Sequence, residues 1–212
     1  MKKKIIIFDF DGVIIDSVKI KDNAFKSLVA KYPKKIRNAF FKFHKKNIGK
    51  SRFIKFEYLF KNLLKIPYTQ RDIKLMSEAF AKIVLYKIAR INLNKGVLKF
   101  LVKNKVSFLY FISSGTPQRE LKRIIHKKCL NIYFKKIYGS PVDKVNHILD
   151  IIKTYKFLKK DILFIGDGLS DLKAAMRTNI NFIQFGNSFK SNKIKYKIKN
   201  FFELEKLIKK KF

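Results

Sequence analysis

The run IIIFDFDG at residues 5–12 passes directly from an apolar segment to a pair of carboxylates. Ile5 to Phe8 is short, apolar and rich in β-branched residues, which is typical of a parallel strand buried on both faces. Asp9 and Asp11 follow at once, with Gly12 beyond them. Because ligands of open α/β sheets bind beyond the carboxyl ends of the strands, this run predicts a fold class and the place of a site.

Further runs of the same kind recur along the chain and are predicted to be strands. They are Val106 to Ile112, Ile162 to Ile165, Phe182 to Phe185 and, more weakly, Lys136 to Tyr138. Helical spacing or helix-start signals are found in Glu120 to Ile125, Lys144 to Tyr155, Leu172 to Met176 and Phe201 to Phe212. Since strands that alternate with helices are typical of α/β proteins, we predict a doubly wound parallel sheet.

The region from Ser17 to Arg90 departs from this alternation. It contains no credible strand, and its apolar residues recur at helical spacing, as in Phe53, Phe56 and Phe60. Such aromatics favour the core of a small helical bundle over a platform for stacking bases. We therefore predict an α/β catalytic core of residues 1–16 and 91–212, with a helical cap domain of residues 17–90 inserted after the first strand.

The chain is strongly basic, with 50 lysine and arginine residues against 15 aspartate and glutamate residues and a net charge of +35. This charge is compatible with binding to nucleic acid or to an anionic membrane surface. However, the lysines are spread over every segment, whereas a nucleic-acid surface usually concentrates its charge and uses more arginine. We therefore expect no nucleic-acid partner, and we expect the positive field to attract anionic substrates.

Composition also bears on localisation and assembly. Cys129 is the only cysteine, so disulfides are excluded and a reducing cytoplasm is the expected compartment. No apolar run approaches the ~20 residues that a membrane span requires. Asp9 and Asp11 interrupt the apolar run that follows the basic N-terminus, which argues against a secretory signal. Mutual repulsion of the basic surfaces favours a monomer.

Polar residues follow three of the predicted strands at their carboxyl ends. They are Asp9 and Asp11; Ser113, Ser114 and Gly115; and Asp167 with Asp171. One aspartate at a strand end is usually a turn former or a helix cap. Four aspartates and a serine at matching strand ends favour a functional site, since the fold brings them to one edge of the sheet.

The four aspartates of this group, Asp9, Asp11, Asp167 and Asp171, suit a hard cation with oxygen ligands. Crowded carboxylates repel each other unless a cation lies between them. A cation also shields a phosphate from a negatively charged nucleophile, so we expect Mg²⁺ as the cofactor. Lys144, at the start of a predicted helix, is expected to add a positive charge to the same edge.

These segments resemble the motifs of the haloacid dehalogenase superfamily of phosphohydrolases. DFDGVIIDS at residues 9–17 is similar to the first motif, DxDGxxxDS, and Ser113 is similar to the serine or threonine of the second. Lys144 lies where the third-motif lysine is expected, and GDGLSD at residues 166–171 matches the fourth motif, GDxxxD. All four occur in order, and the resemblance covers the whole chain.

The resemblance implies a role for each catalytic residue. Asp9 would attack phosphorus and form an aspartyl-phosphate, while Asp11 would protonate the leaving oxygen and then activate water. Ser113, Lys144 and the nearby backbone amides would hold the phosphoryl oxygens. Ser114 and Gly115 are expected to bind substrate beside them.

The resemblance also implies a metal site in which Asp9, the carbonyl of Asp11 and Asp167 hold Mg²⁺, with Asp171 nearby or linked through water. Asp16 and Ser17 are interpreted as a helix cap at the start of the helical region, rather than as catalytic residues. His126 and His147 carry no signal for a function.

The segment Gly49 to Arg52 resembles a cap loop of the branch that contains phosphoglycolate phosphatases and β-phosphoglucomutase. Arg52 is expected to reach a second anionic group of the substrate, since its planar fork suits carboxylates and phosphates. The alternative is a solvated basic residue at a helix start. Lys55, one turn later, is a weaker candidate for substrate binding. His44, between lysines and next to Phe43, is interpreted as a surface residue.

The sequence thus predicts a phosphatase that acts on a small phosphorylated metabolite, such as a sugar phosphate or phosphoglycolate. A phosphomutase shares the first half-reaction, so the motifs do not separate the two activities. A non-catalytic nucleic-acid-binding module is an alternative of another class. The intact set of Asp9, Asp11, Ser113, Lys144 and Asp167 argues against it.

Overall fold

The structure is a computed structural model and describes residues 3–211. It contains one sheet of six strands: β1 Lys4–Phe8, β2 Phe108–Pro117, β3 Phe134–Ser140, β4 Ile162–Gly166, β5 Asn181–Phe185 and β6 Lys197–Ile198. Their order is β3-β2-β1-β4-β5-β6, and every pairing is parallel. The predicted parallel α/β sheet is therefore confirmed, with β1 between β2 and β4.

Helices cover both faces of this sheet. They are α5 Val97–Asn104, α6 Gln118–Lys127, α7 Lys144–Tyr155, α8 Leu169–Thr178 and α9 Phe201–Lys211. Side chains of β1 alternate between the two faces: Ile6 and Phe8 pack in the core that contains α5, α6 and α9, whereas Ile5 and Ile7 pack in the core that contains α7 and α8. This alternation is what makes the sheet doubly wound.

The region between β1 and α5 is helical. It consists of α1 Val18–Val29, α2 Lys34–Lys46, α3 Arg52–Tyr58, the π-helical turn Leu59–Leu64 and α4 Gln70–Arg90. Its centre is aromatic, with the Phe25 ring 4.5 Å from Phe80 and 5.7 Å from both Phe40 and Phe56. The predicted helical bundle core is confirmed. We call residues 17–90 the cap; their status as a separate domain remains a prediction, and residues 1, 2 and 212 of the predicted core lie outside the described range.

Two details of the sheet differ from the sequence prediction. β2 extends to Pro117, so residues 113–116, which were expected after the strand, lie in its last part. The strand continues because Ser113 still pairs with Tyr138 and Pro117 pairs with Ser140 after a shift of register. β6 was not predicted, since two residues are too short for a periodic pattern. Within residues 3–211, no helix combines the length and apolar character that a membrane span requires.

Candidate active site

The carboxyl ends of β1, β2 and β4 meet at one edge of the sheet, as predicted. Phe8, the last residue of β1, is paired with Ile112 of β2 and with Ile165 of β4. The residues that follow each of these positions therefore lie side by side. Asp9 continues the register for one residue, since its backbone N–H donates to the carbonyl of Ile165 at 2.9 Å.

Asp9 is the most enclosed carboxylate beside the cavity, with 2% of its surface exposed. Its Oδ1 accepts a hydrogen bond of 2.7 Å from the backbone N–H of Phe10, and its Oδ2 lies 2.8 Å from the Nζ of Lys144. Burial raises the pKa of Asp9 more than Lys144 lowers it, and the carboxylates of Asp171 and Asp11 raise it further. The geometry thus fixes both oxygens of Asp9, yet leaves its negative charge incompletely compensated.

Lys144 is the first residue of α7 and joins two segments of the site. Its Nζ contacts Oδ2 of Asp9 and donates a short hydrogen bond to Oδ1 of Asp171. The helix start is fixed by Asp143, whose side chain accepts from the N–H of Asn146 at 2.9 Å. Burial lowers the pKa of Lys144, but the two carboxylates outweigh burial and raise it, so the ammonium remains charged.

Three carboxylates form an acidic cluster, in which one oxygen each of Asp9, Asp167 and Asp171 lies within 4.8 Å of the others. Asp171 is engaged on both oxygens, by Lys144 and by the N–H of Gly168 at 2.9 Å. Asp167 is 8% exposed, and no hydrogen bond to its carboxylate occurs within residues 3–211. Burial, followed by the charges of Asp9 and Asp171, raises the pKa of Asp167.

This cluster fits a hard cation. A buried carboxylate without a donor costs free energy, and a divalent ion between Asp9 and Asp167 would offset that cost. The backbone approaches the cluster closely at Gly12, where a Cβ atom would overlap the carboxylate of Asp167. A residue with a side chain would therefore fill the space beside the acids.

The side chain of Asp11 lies outside the acidic cluster and faces the cap. Its Oδ1 accepts from the hydroxyl of Ser17 at 2.5 Å; its Oδ2 accepts from Thr116 at 2.8 Å and from Ser114 at 3.3 Å, and lies 2.5 Å from the Nζ of Lys21. Burial raises the pKa of Asp11, but Lys21 and these hydrogen bonds outweigh burial and hold it below its usual value.

The two serines of β2 have different surroundings. The hydroxyl of Ser113 lies 2.9 Å from Nδ1 of His147. The hydroxyl of Ser114 instead reaches Asp11 and accepts from the N–H of Thr116 at 3.1 Å. The structure therefore brings Ser114, together with Gly115 and Thr116, to Asp11, whereas it packs Ser113 against α7. Of these β2 residues, Gly115 and Thr116 line the cavity described below, and neither serine does.

A cavity of about 70 Å³ lies between this sheet edge and the cap. Asp9, Asp11 and Asp167 line it on the core side. On the cap side it is lined by polar and charged residues from α1, α2 and α3, among them Lys21, Asp22, His44, Arg52 and Lys55. The rings of Phe25 and Phe80 complete the cap side, so the charged groups face each other across a partly apolar space.

Arg52 begins α3, as the sequence indicates, but it is only 6% exposed, so its interpretation as a solvated residue is wrong. Its Nε donates to the hydroxyl of Ser77 at 2.7 Å, and its guanidinium fork pairs with both carboxylate oxygens of Glu120 on α6. The guanidinium also lies 5.0 Å from the centre of the Phe80 ring. Arg52 therefore connects the cap to the core.

His44 was predicted at the surface, and this prediction is wrong, since the residue is 4% exposed. His44 follows Phe40 by one helical turn, so both share the buried face of α2 while the neighbouring Lys45 lies outside. Its Nε2 lies 2.7 Å from Oδ1 of Asp22, and its ring packs 4.6 Å from Phe25. Burial lowers the pKa of His44 despite this partner.

Among the residues that contact the site's groups or line the cavity, the sequence interpretation missed Lys21, Asp22, Thr116 and His147. Lys21 lies one turn after Ser17, on a helix that the motif places beside Asp9, so its position carried a usable signal. His147 similarly follows Lys144 by one turn of α7. Asp22 and Thr116 carried none, because their partners come from distant segments.

Residues 6–185 match the family model of haloacid dehalogenase-like hydrolases. A protein from Haemophilus somnus, described as a predicted phosphoglycolate phosphatase, has a TM-score of 0.78 at 17% identity, with 98% of this chain and 99% of that one covered. β-Phosphoglucomutase from Clostridium difficile has a TM-score of 0.77 at 18% identity, with 99% and 97% covered.

A magnesium-bound hydrolase of the haloacid dehalogenase type from Bacillus subtilis has a TM-score of 0.71 at 16% identity, with 99% of this chain and 100% of that chain covered. No curated protein matches the chain. At these identities the solved structures establish a shared fold, and the family model extends over most of the α/β core and the whole cap.

Proposed function

The chain belongs to the haloacid dehalogenase-like hydrolase family, and we propose that it is a Mg²⁺-dependent phosphatase of a small phosphorylated metabolite, acting through an aspartyl-phosphate on Asp9. One observation carries the proposal. Asp9 lies buried beside the ammonium of Lys144 and in one acidic cluster with Asp167, whose carboxylate accepts no hydrogen bond within residues 3–211, and both aspartates line the cavity below the cap. A nucleophilic carboxylate needs this combination of fixed geometry and positive charge.

Asp9 and Asp167, with the main-chain carbonyl of Asp11, would hold the cation, and Asp171 would lie beside it because Lys144 and Gly168 already engage its carboxylate. When bound, Mg²⁺ would supply charge shielding between the phosphate and the nucleophile. It would also lower the pKa that burial raises at Asp9, so that the attacking group is ionised at neutral pH.

In the first step an oxygen of Asp9 forms a bond to phosphorus while the bond from phosphorus to the leaving oxygen breaks, and Asp11 gives that oxygen a proton. Ser114 and the backbone N–H groups around Gly115 hold the phosphoryl oxygens, and Lys144 balances the charge on the Asp9 side. We assign this contact to Ser114 in place of Ser113, because the Ser114 hydroxyl lies beside Asp11 and Thr116, whereas the Ser113 hydroxyl faces His147 on α7.

In the second step Asp11 removes a proton from water, the water oxygen bonds to phosphorus, and the bond between phosphorus and Asp9 breaks. Lys21 stabilises the ionised form of Asp11 that this step requires. For the first step Asp11 must be protonated. We infer that the negative charge of the bound phosphate offsets the positive charge of Lys21, so that the pKa of Asp11 rises when substrate binds.

The test is release of inorganic phosphate from a panel of small phosphate esters with Mg²⁺ and after its chelation. We expect release from at least one ester by the wild-type protein and none by Asp9→Asn. Addition of a sugar bisphosphate activator distinguishes the phosphomutase, which would return an isomeric sugar phosphate with no net release. Equal activity of the wild type and the Asp9 variant would rule out both.

The cysteine content and the charge support the remaining proposals. A single cysteine, Cys129, suits a reducing cytoplasm, and the net charge of +35 suits a monomer that attracts anionic substrates. Because nucleic acids are also anionic, the alternative function is that of a non-catalytic module that binds nucleic acid. Tight binding of duplex or single-stranded nucleic acid at physiological salt would favour that alternative.

A further inference from the structure

We propose that the cap side of the cavity binds a second anionic group of the substrate, a carboxylate or a second phosphate, through the ammonium of Lys55. The inference rests on the proposed function, since it concerns the same cavity. It narrows the substrate class to phosphate monoesters that carry another negative group. The contact would be made on α3, opposite the carboxylates of the core.

Lys55 is a buried cation without a counter-charge. It is 4% exposed and lines the cavity, yet within residues 3–211 its Nζ has neither an ion pair nor a hydrogen bond. Its Nζ lies 5.2 Å from the centre of the Phe25 ring. Lysine is rarely buried unless it is paired, so a site of this kind calls for an anion.

The two acids whose charges act on Lys55 are already engaged by other residues. Asp22 is held through Oδ1 by His44 at 2.7 Å and through Oδ2 by Lys45 at 2.5 Å. Asp11 is held by Lys21. Neither carboxylate forms an ion pair with Lys55, so the positive charge of its ammonium remains unpaired within residues 3–211.

Arg52 is the residue that the motif resemblance favours for a second anion, but its charge is already paired. Its Nε is bonded to Ser77 and its fork to Glu120. An anion at Arg52 would compete with the carboxylate of Glu120 for the guanidinium charge, whereas Lys55 has no ion pair within residues 3–211. Lys55 is therefore the better candidate to bind the second anionic group.

The electrostatics agree with this assignment. Burial, reinforced by the charge of Lys21, lowers the pKa of Lys55 to about 7, against the opposing effects of Asp22 and Asp11. An anion at its Nζ would restore the ordinary pKa. The neighbouring rings of Phe25 and Phe80 also lower the local dielectric, which strengthens an ion pair formed there.

The experiment measures binding, so it does not depend on turnover. The probes are three non-hydrolysable ligands with the same three-carbon chain: propylphosphonate, 3-phosphonopropionate and propane-1,3-diphosphonate. Their dissociation constants are determined by calorimetry with Mg²⁺ present. We expect wild-type protein to bind one or both two-anion ligands about 10- to 100-fold more tightly than propylphosphonate, as for a hydrogen bond to a charged group. The better of the two identifies carboxylate or phosphate.

Lys55→Met is expected to bring the ratio of the dissociation constants of propylphosphonate and the preferred two-anion ligand close to one. Lys55→Arg is expected to retain most of this ratio, which would also show that the position tolerates substitution. Lys82→Met, at an exposed lysine of α4, serves as the matched control and should keep the wild-type ratio. Equal affinity of wild-type protein for all three probes, or a preference that survives Lys55→Met, overturns the inference. A preference that depends on Lys55, in a protein that hydrolyses no phosphate ester, keeps the subsite and refutes the proposed phosphatase.

Discussion

The core side and the cap side of the cavity carry charge imbalances of opposite sign. On the core side Asp9, Asp167 and Asp171 form one acidic cluster, and within residues 3–211 its ion pairs are those of Lys144 with Asp9 and Asp171. On the cap side Lys55 forms no ion pair within the same residues, although Asp22 and Asp11 are paired with other residues. A phosphate ester that binds a divalent cation at one end and carries an anion at the other would balance both. The opposite imbalances thus favour a substrate whose phosphate ester faces the core side and whose second anionic group faces the cap side.

The two sides also differ in how the fold holds them. The core residues follow strands of one sheet, so hydrogen bonds between strands set their spacing. The cap residues lie on three helices, and the contacts that tie them to the core are made by side chains, notably Lys21 with Asp11 and Arg52 with Glu120. We expect substitutions on the core side to affect chemistry, and those on the cap side to affect affinity, pH dependence and stability.

The largest expected effect comes from removing the nucleophile on the core side. Asp9→Asn should reduce the rate of phosphate release by about 10⁴-fold or more, since the amide cannot form the covalent intermediate. Asp161→Asn, at a partly exposed aspartate just before β4, is the control and should leave the rate unchanged. A variant at position 9 that retains a tenth of the activity would place the nucleophile elsewhere.

The next prediction concerns Asp167, whose place among crowded carboxylates is expected both to bind a cation and to destabilise the metal-free protein. Asp167→Asn should lower activity on the order of 10²-fold or more, because a cation ligand worth several kcal/mol is lost. The same substitution should raise the melting temperature of the metal-free protein, because it removes a buried carboxylate from its like-charged neighbours.

This stabilisation has a definite pH dependence. Because the pKa of Asp167 is raised in the folded state, the wild-type protein is destabilised as pH rises above the ordinary carboxyl range toward that raised pKa. The advantage of Asp167→Asn should therefore be absent at low pH and grow with pH across that window, as measured by thermal unfolding in a chelator. An advantage that shrinks with rising pH would contradict the crowding argument.

A smaller effect is expected where the cap reaches the core. Lys21→Met should lower kcat/KM by about 10- to 100-fold, near the lower end of what a positioned acid–base group contributes. Loss of the ammonium raises the pKa of Asp11, so the limb of the pH–rate profile that Asp11 governs should move to higher pH. Lys19→Met, on the exposed side of α1, is the control. An unmoved profile would show that Asp11 is not the titrating group.

The smallest effect concerns the pairing of Arg52 with Glu120. Glu120→Gln should lower the free energy of unfolding by about 1–3 kcal/mol, since a buried guanidinium loses its charged acceptor. The measurement is urea unfolding, with Glu78→Gln at an exposed site of α4 as the control. If the two variants unfold at the same urea concentration, the pair contributes nothing to the attachment of the cap.

Most of the fold could be predicted from the sequence, because parallel strands buried on both faces leave short continuous apolar runs, whereas amphipathic helices leave apolar residues every three or four positions. The acids of the core side could be predicted for the same reason, since each follows a strand. The position of Lys21, one turn after Ser17, carried a usable signal, but its pairing with Asp11 could not be predicted, because nothing in the sequence shows which acid one lysine among many will contact. The burial of His44 was concealed by the lysines on either side of it, which lie on other faces of the helix. The different surroundings of Ser113 and Ser114 could not be predicted, because they depend on the extension of β2, and sequence patterns specify the ends of strands poorly.

The close approach of Gly115 to Gly49 has a consequence for sequence variation. A Cβ atom at Gly115 would overlap the carbonyl oxygen of Gly49, and one at Gly49 would overlap the hydroxyl of Ser170. A strand and a helix of the core, β2 and α8, therefore lie against one residue of the cap and leave no room for side chains there. Among relatives that keep this arrangement, we expect the residues at positions 49, 115 and 170 to change together. A larger side chain at position 115 or 49 should be accompanied by a different path of the backbone around position 49.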